Sequence, residues 1–93
     1  MVTTIKLSEE FPLVVTFDGR VLEVFQDISS NRIHVTWIDS LQLKTDKKGK
    51  HTLDINTQGD SGLQGNEVDE GAFARVNGLI AEVQKAKAAF KFD

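Results

Sequence analysis

Apolar and polar residues alternate through much of the N-terminal half of the sequence, which is the pattern of strands that bury one face. Alternating runs cover residues 2–7, 13–17 and 20–26. Asp18-Gly19 stands between the second and third runs, and such a pair favours a two-residue type I′ turn because both central residues need a positive φ. The pattern therefore predicts a β-hairpin that turns at Asp18-Gly19.

A longer alternating run follows the turn-forming residues 27–31. Its apolar residues share one parity: Ile33, Val35, Trp37, Leu41 and Leu43. Because strands in small domains usually have about five or six residues, we expect a bulge or bend near Asp39-Ser40. The shared parity predicts that Trp37 is substantially buried.

A second hairpin is predicted at Asp46-Lys47-Lys48-Gly49, and it leads into a strand at residues 51–57 with Leu53 and Ile55 facing inward. Three glycines then dilute the apolar signal, and the pattern supports only a short strand or a loose hairpin arm at about Leu63 to Val68.

The C-terminal quarter changes to helical spacing. The apolar residues at this spacing are Phe73, Val76, Leu79, Ile80 and Val83. Asp69 is a suitable N-cap, although Asn66 competes for that position. The sequence thus predicts one domain, residues 1–93, with strands over about 2–68 and a helix over about 69–89. The predicted class is α+β, mainly β: a bent antiparallel sheet closed by one C-terminal amphipathic helix.

Composition narrows the functional classes. The net charge of −3 argues against general nucleic-acid binding, which needs a cationic surface. The chain has no cysteine, which excludes disulfides, thiolate metal sites and cysteine nucleophiles. Neither a signal-peptide pattern nor a long apolar run is present, so a cytoplasmic location is the expectation.

The segment from Arg32 to Leu41, with the Asp46–Gly49 hairpin and the closing helix, resembles bacterial members of the pleckstrin-homology-like superfamily. The resemblance covers roughly residues 5–88 and implies a bent, partly open barrel of about seven strands, closed at one end by the helix. Phosphoinositide-binding members carry basic residues in the loop after the first strand. That loop is acidic here, Ser8-Glu9-Glu10-Phe11-Pro12, so the resemblance implies the fold rather than lipid binding.

Few residues suggest catalysis. Gly59-Asp60-Ser61-Gly62 matches the short motif around a serine-protease nucleophile, but these are also typical turn residues. His34, His51 and Asp54 could hold a metal ion, yet their spacing is not that of a known metal motif. We therefore expect no catalytic residue, no metal site and no cofactor, and we interpret the protein as a non-enzyme.

An apolar surplus suggests a binding surface. Val14, Val21 and Phe25 have the opposite parity from the main apolar residues of their strands, so both faces of the first hairpin are partly apolar. This indicates a surface that binds a protein partner or forms a homo-oligomer. The open alternative is that the helix or the Phe90-Lys91-Phe92 tail covers it.

Lys44, Lys47, Lys48 and Lys50 surround the second hairpin and form a candidate anion-binding patch. As an alternative function, this patch would bind a membrane surface or a phosphoinositide-type headgroup. The acidity of the whole chain disfavours membrane lipid as the partner, and lysines also keep an exposed hairpin soluble.

Overall fold

The computed structural model describes residues 2–10, 13–26 and 29–90, and these form two antiparallel sheets and one long helix. The strands are β1 (Thr3–Ser8), β2 (Leu13–Phe17), β3 (Val21–Gln26), β4 (Ser29–His34), β5 (Ile38–Thr45), β6 (His51–Thr57) and β7 (Asp60–Val68). The helix α1 (Phe73–Ala89) follows a 3₁₀ turn at Glu70–Ala72. The first sheet has the order β1-β2-β3-β4 and the second β5-β6-β7. The predicted class is confirmed, and the described strands do not join into a closed barrel.

The core lies between the two sheets and the helix. Phe17, Leu53 and Val76 are fully buried, one from each of these layers. On the helix, Leu79 and Val83 are also buried, so the predicted apolar stripe does face the sheets. The helix therefore covers the sheets as the spacing of its apolar residues predicts.

Asp69 starts the helical segment, but it does not cap it with its side chain. Its Oδ2 accepts a hydrogen bond from the Glu9 N–H at 2.6 Å, and its own N–H donates to the Leu7 carbonyl at 2.7 Å. The N-cap position is therefore confirmed at Asp69, but its side chain makes no capping bond because the Glu9 N–H, just after β1, is its partner. Asp69 instead fixes the start of the helix to the end of β1.

The first hairpin forms where it was predicted, but with a longer turn. Phe17 pairs with Leu22, whereas a two-residue Asp18-Gly19 turn would pair Phe17 with Arg20. Oδ1 of Asp18 accepts hydrogen bonds from the N–H groups of Arg20 and Val21, both at 2.8 Å. These bonds, first that from Val21, lower the pKa of Asp18 and stabilise the wider turn.

The prediction that Trp37 is buried is wrong, since 60% of this residue is exposed. A 3₁₀ turn at Val35–Trp37 interrupts the long alternating run. Side chains three apart eclipse in a 3₁₀ turn, so Val35 and Ile38 face the core together and Trp37 turns outward. The bulge or bend expected near Asp39-Ser40 lies just after this turn, where the β5–β6 register shifts between Ile38 and Ser40.

Strand β7 is longer than predicted and carries two extra residues. Its register against β6 shifts on either side of Ile55, and both Gly62 and Gly65 have a positive φ. A Cβ on Gly62 would lie only 2.1 Å from the Ile55 carbonyl oxygen, whereas one on Gly65 would meet nothing within 4 Å. The glycines therefore make two bulges in β7.

Candidate functional site

The three residues predicted to bind a partner do not form one patch. Val14 and Phe25 lie directly opposite each other on β2 and β3. Phe25 is 40% exposed and Val14 is half-buried. Val21 is also half-buried, but it lies at the other end of β3, opposite His34. Glu23 separates Val21 from Phe25 along the strand, so the apolar surface proper is the Val14–Phe25 pair.

Strand β4 extends this surface to an open edge. It is the last strand of its sheet, and Ser30 lies opposite Phe25. The first four residues of β4 are all exposed. Within the described ranges, no backbone hydrogen bond joins residues 29–33 to an element other than β3. Among the described residues, the outer backbone groups of β4 thus have no strand partner, and such an edge can pair with an added strand.

A groove of about 520 Å³ opens at the C-terminal end of β4. Its walls come from β4, the 3₁₀ turn and the end of β6: Arg32, Ile33, His34, Trp37, Thr57 and Gln58. The Gln58 N–H donates to the Trp37 carbonyl at 2.9 Å, and its side-chain amide donates to the Thr36 carbonyl at 3.2 Å. These bonds hold the 3₁₀ turn against β6, so the groove is built into the fold. We call it the Trp37 groove.

The candidate lysine patch is partly neutralised by carboxylates. The Lys44 ammonium lies 2.9 Å from Oδ2 of Asp54, and that of Lys50 pairs with Glu67. The Glu67 carboxylate raises the pKa of Lys50. Lys47 and Lys48 are exposed at the tip and make no ion pair with any residue in the described ranges. With respect to the described residues, the hairpin thus presents two lysines without an ion pair.

Asp46 sets the shape of that hairpin, as the turn prediction requires. Its Oδ1 accepts from the N–H groups of Lys48 and Lys50, both at 2.9 Å. Gly49 has a φ of 84°, which glycine adopts without strain. The carboxylate of Asp46 therefore stands at the centre of the lysine patch and weakens its attraction for an anion.

His51 connects the end of the lysine hairpin to the start of the helical segment. Its Nδ1 lies 2.7 Å from Oγ1 of Thr45, and its Nε2 bonds to the Glu70 carboxylate. The order hydroxyl, imidazole, carboxylate is also that of a hydrolase triad, but a triad works with preorganised donors for an oxyanion. Glu70 is 86% exposed at its side chain, and the His51 ring packs on Phe73 with centroids 4.3 Å apart. This geometry ties β5, β6 and the helix together.

The structure does not bring the candidate metal ligands together. His34 bonds to Thr36, His51 to Thr45 and Glu70, and Asp54 to Gly65 and Lys44. Over residues 2–10, 13–26 and 29–90, no three His, Cys, Asp or Glu side chains form a group suited to a metal ion. In the Gly59-Asp60-Ser61-Gly62 segment, Asp60 pairs with Thr57 in the β6–β7 turn.

The sequence did not indicate the Trp37 groove. The alternating pattern predicts Trp37 in the core, and Arg32 and Gln58 carry no motif. The one available signal was His34-Val35-Thr36: the His34 side chain accepts from the Thr36 N–H at 3.2 Å and caps the 3₁₀ turn. Of the tail proposed as an alternative cover for the apolar surface, Phe90 packs on the core and on His34, which lies opposite Val21. Lys91 and Phe92 lie outside the described residues.

In the described part of the chain, no helix is both long and apolar enough to cross a bilayer. Comparisons of the chain with protein-family models, with curated protein sequences and with solved structures find no match.

Proposed function

We propose that this chain is a non-catalytic interaction module that binds an extended segment of a protein partner along β4. The observation that carries the proposal is the continuity of three exposed features: Phe25, the open edge of β4 and the Trp37 groove. An added strand would gain backbone hydrogen bonds from β4 and apolar contacts at either end.

The exposed aromatic residues support this proposal over a purely solvated surface. Phe25 and Trp37 are two of the three large apolar residues counted as exposed in the described ranges, and they flank β4. Aromatic residues are enriched at the energetic centres of protein interfaces. The element order, four strands then three strands then a helix, supports the further proposal that the domain belongs to the pleckstrin-homology-like superfamily.

Polarity explains how a free β4 edge can coexist with solubility. The first four residues of β4 are Ser29, Ser30, Asn31 and Arg32, which favour hydration in the unbound state. Affinity for a partner would then depend on the flanking aromatic residues, while backbone pairing sets the register. The module is thus suited to reversible binding.

The test is a selection of random twelve-residue peptides displayed on phage, followed by amide chemical-shift mapping of the enriched peptides. We expect the shifts to centre on β3, β4 and the Trp37 groove, and Phe25→Ser to weaken binding at least about fivefold. Val2→Ser is the matched control, because Val2 is also apolar and 58% exposed. It directly precedes β1, which is the edge strand opposite β4.

Three results would contradict the proposal. A failure to enrich any peptide would contradict peptide binding at the edge of β4. Shifts confined to Lys47 and Lys48 would favour the lysine patch as the binding site. A wild-type dimer in sedimentation equilibrium that Phe25→Ser dissociates would identify a second copy of the chain, rather than another protein, as the occupant.

A further inference from the structure

We propose that the Trp37 groove binds a single carboxylate of the partner segment, from an aspartate or glutamate side chain. This inference rests on the proposed function and names the chemistry of its partner. It is carried by the hydrogen-bonding state of Arg32, by the charge of the groove and by the position of Arg32 on the edge strand.

Arg32 has unused hydrogen-bonding capacity. Its side chain is 71% exposed, and its Nε lies 3.9 Å from Oε1 of Glu23. That distance is too long for a hydrogen bond. Its guanidinium makes no hydrogen bond to any residue in the described ranges. A guanidinium offers five N–H donors in a planar fork, and that fork fits a carboxylate with two parallel bonds.

The charge that the described residues bring to the groove is positive. Among the six described residues that line the groove, Arg32 carries the charge, since His34 is the other titratable one and its Nδ1 bonds to Thr36. The whole chain has a net charge of −3, so this region differs in sign from the protein around it. Glu23 already lies 3.9 Å from this guanidinium, so a ligand with a single negative charge meets the least repulsion here. A phosphate ester, which carries about 1.5 to 2 negative charges near neutral pH, would keep part of its charge unbalanced.

Trp37 adds an apolar surface and one donor. Its indole is mostly exposed, and its Nε1–H has no hydrogen-bond partner in the described part of the chain. A side chain next to the carboxylate can therefore pack on the ring while the N–H stays directed at solvent or at the ligand. An acidic residue flanked by an apolar residue fits both features of the groove.

The position of Arg32 connects the groove to the partner strand. Glu23 lies directly opposite Arg32 on β3, where opposite charges are favourable cross-strand neighbours. A strand added to the free side of β4 would place one residue at the same level on the other side. A glutamate there would give Arg32 a second carboxylate, at hydrogen-bond distance, and would set the register of the partner.

The experiment uses the peptides enriched on the full chain, with the emission of Trp37 as the readout. The sequence contains a single tryptophan, so the emission reports on the groove alone. We expect the enriched peptides to share an acidic residue at one position. Replacing that residue by its amide should weaken binding about 10- to 100-fold. The Arg32→Gln protein should bind the acidic and the amide peptide equally.

Arg75→Gln is the matched control, because Arg75 lies on the helix and does not line the groove. It should keep the full preference for the acidic peptide. Enriched peptides that tolerate the amide, yet still lose affinity on Phe25→Ser, would overturn this inference and leave the proposed function standing. Failure to enrich any peptide would overturn both. Tighter binding of a phosphoserine peptide than of the glutamate peptide would overturn the choice of a carboxylate.

Discussion

The two sheets bury their inner faces in different ways. In the first sheet the buried residues are apolar and alternate with period two, and Ser8 at the end of β1 is the one buried polar residue described there. The second sheet buries His51, Asp54 and Asn66. Polar groups in the interior need hydrogen-bond partners, and these three have them. The first sheet thus depends on packing, and the second also on specific polar bonds.

The bulges explain two of the three buried polar residues of the second sheet, Asp54 and Asn66. Oδ1 of Asp54 accepts from the Gly65 N–H at 2.8 Å, and Lys44 pairs with its other oxygen. The Asn66 amide donates to the Leu53 carbonyl at 2.9 Å and accepts from the Gln26 side chain at 3.2 Å. Where a bulge interrupts the backbone ladder, side chains take over its hydrogen bonds. We therefore expect the two sheets to respond to different kinds of substitution.

The first sheet should be most sensitive to lost volume. Phe17→Ala removes a fully buried aromatic ring, and we expect it to lower the free energy of unfolding by about 3–5 kcal/mol. The matched control is Phe25→Ala, because Phe25 is 40% exposed on the outer face of the same sheet. It should cost at most about 1 kcal/mol. Urea unfolding measures both, and equal losses would contradict the assignment of the inner face.

The second sheet should be sensitive to an added methyl group. Gly62→Ala combines a positive φ with a backbone clash at the Ile55 carbonyl, whereas Gly65→Ala has the positive φ alone. We expect Gly65→Ala to cost about 1–2 kcal/mol. Gly62→Ala should cost at least about 1 kcal/mol more, because the backbone must shift. Similar melting temperatures for the two variants would argue against the tight bulge at Gly62.

Acid should weaken the second sheet through Asp54. The Gly65 N–H, and then the Lys44 ammonium, lower the pKa of Asp54 below its usual value. The unfolded chain therefore takes up this proton first as the pH falls, and the stabilisation by Asp54 is complete above the unfolded pKa of about 4. It is lost as the pH drops through the lowered pKa of the folded state.

Asp54→Ala should remove that contribution and cost about 1–3 kcal/mol at neutral pH, because the Gly65 N–H loses its acceptor. Asp54→Asn keeps an acceptor at that position and should cost less. Urea titrations between pH 2 and pH 7 would measure both effects. A wild-type acid dependence that Asp54→Asn leaves unchanged would assign the titration to other carboxylates.

The smallest loss of stability is expected for Trp37, in the 3₁₀ turn that connects the two sheets. Trp37→Ala truncates a side chain that is mostly exposed, so we expect it to cost at most about 1 kcal/mol. Val35→Ala, two residues earlier, should cost more because Val35 is fully buried. By circular dichroism, Trp37→Ala should therefore melt at a higher temperature than Val35→Ala. The reverse order would indicate that Trp37 is buried after all.

The contrast between the sheets also explains what the sequence could predict. Alternation at Leu13, Val15 and Phe17 identified the inner face of the first sheet, and apolar spacing from Val76 to Val83 identified the inner face of the helix. Both are local patterns that determine which side is buried. The Asp46 hairpin followed from turn chemistry for the same reason.

The sequence-based predictions were wrong where the backbone geometry changes within a few residues. A three-residue 3₁₀ turn moved Trp37 to the surface, and two positive-φ glycines lengthened β7. For the candidate site, parity grouped Val14, Val21 and Phe25, of which Phe25 is exposed. Which residue of β3 lies opposite Val14 depends on the register, and the longer turn makes it Phe25. The Trp37 groove joins β4 to β6, and its formation depends on tertiary contacts that no single segment of sequence specifies.

The order of the strands has a consequence for how the chain folds. Every strand in either sheet pairs with its neighbour in the sequence, so each hairpin closes a short loop at low entropic cost. The contacts between sheets and helix join distant residues: Gln26 and Asn66 are 40 positions apart, and Glu9 and Asp69 are 60 apart. We therefore expect local hairpins to form first and docking of the sheets to limit the rate. Kinetic φ-values should then be higher at Asp46, in the local hairpin, than at Asn66, in the contact between the sheets, and the reverse order would contradict early hairpins.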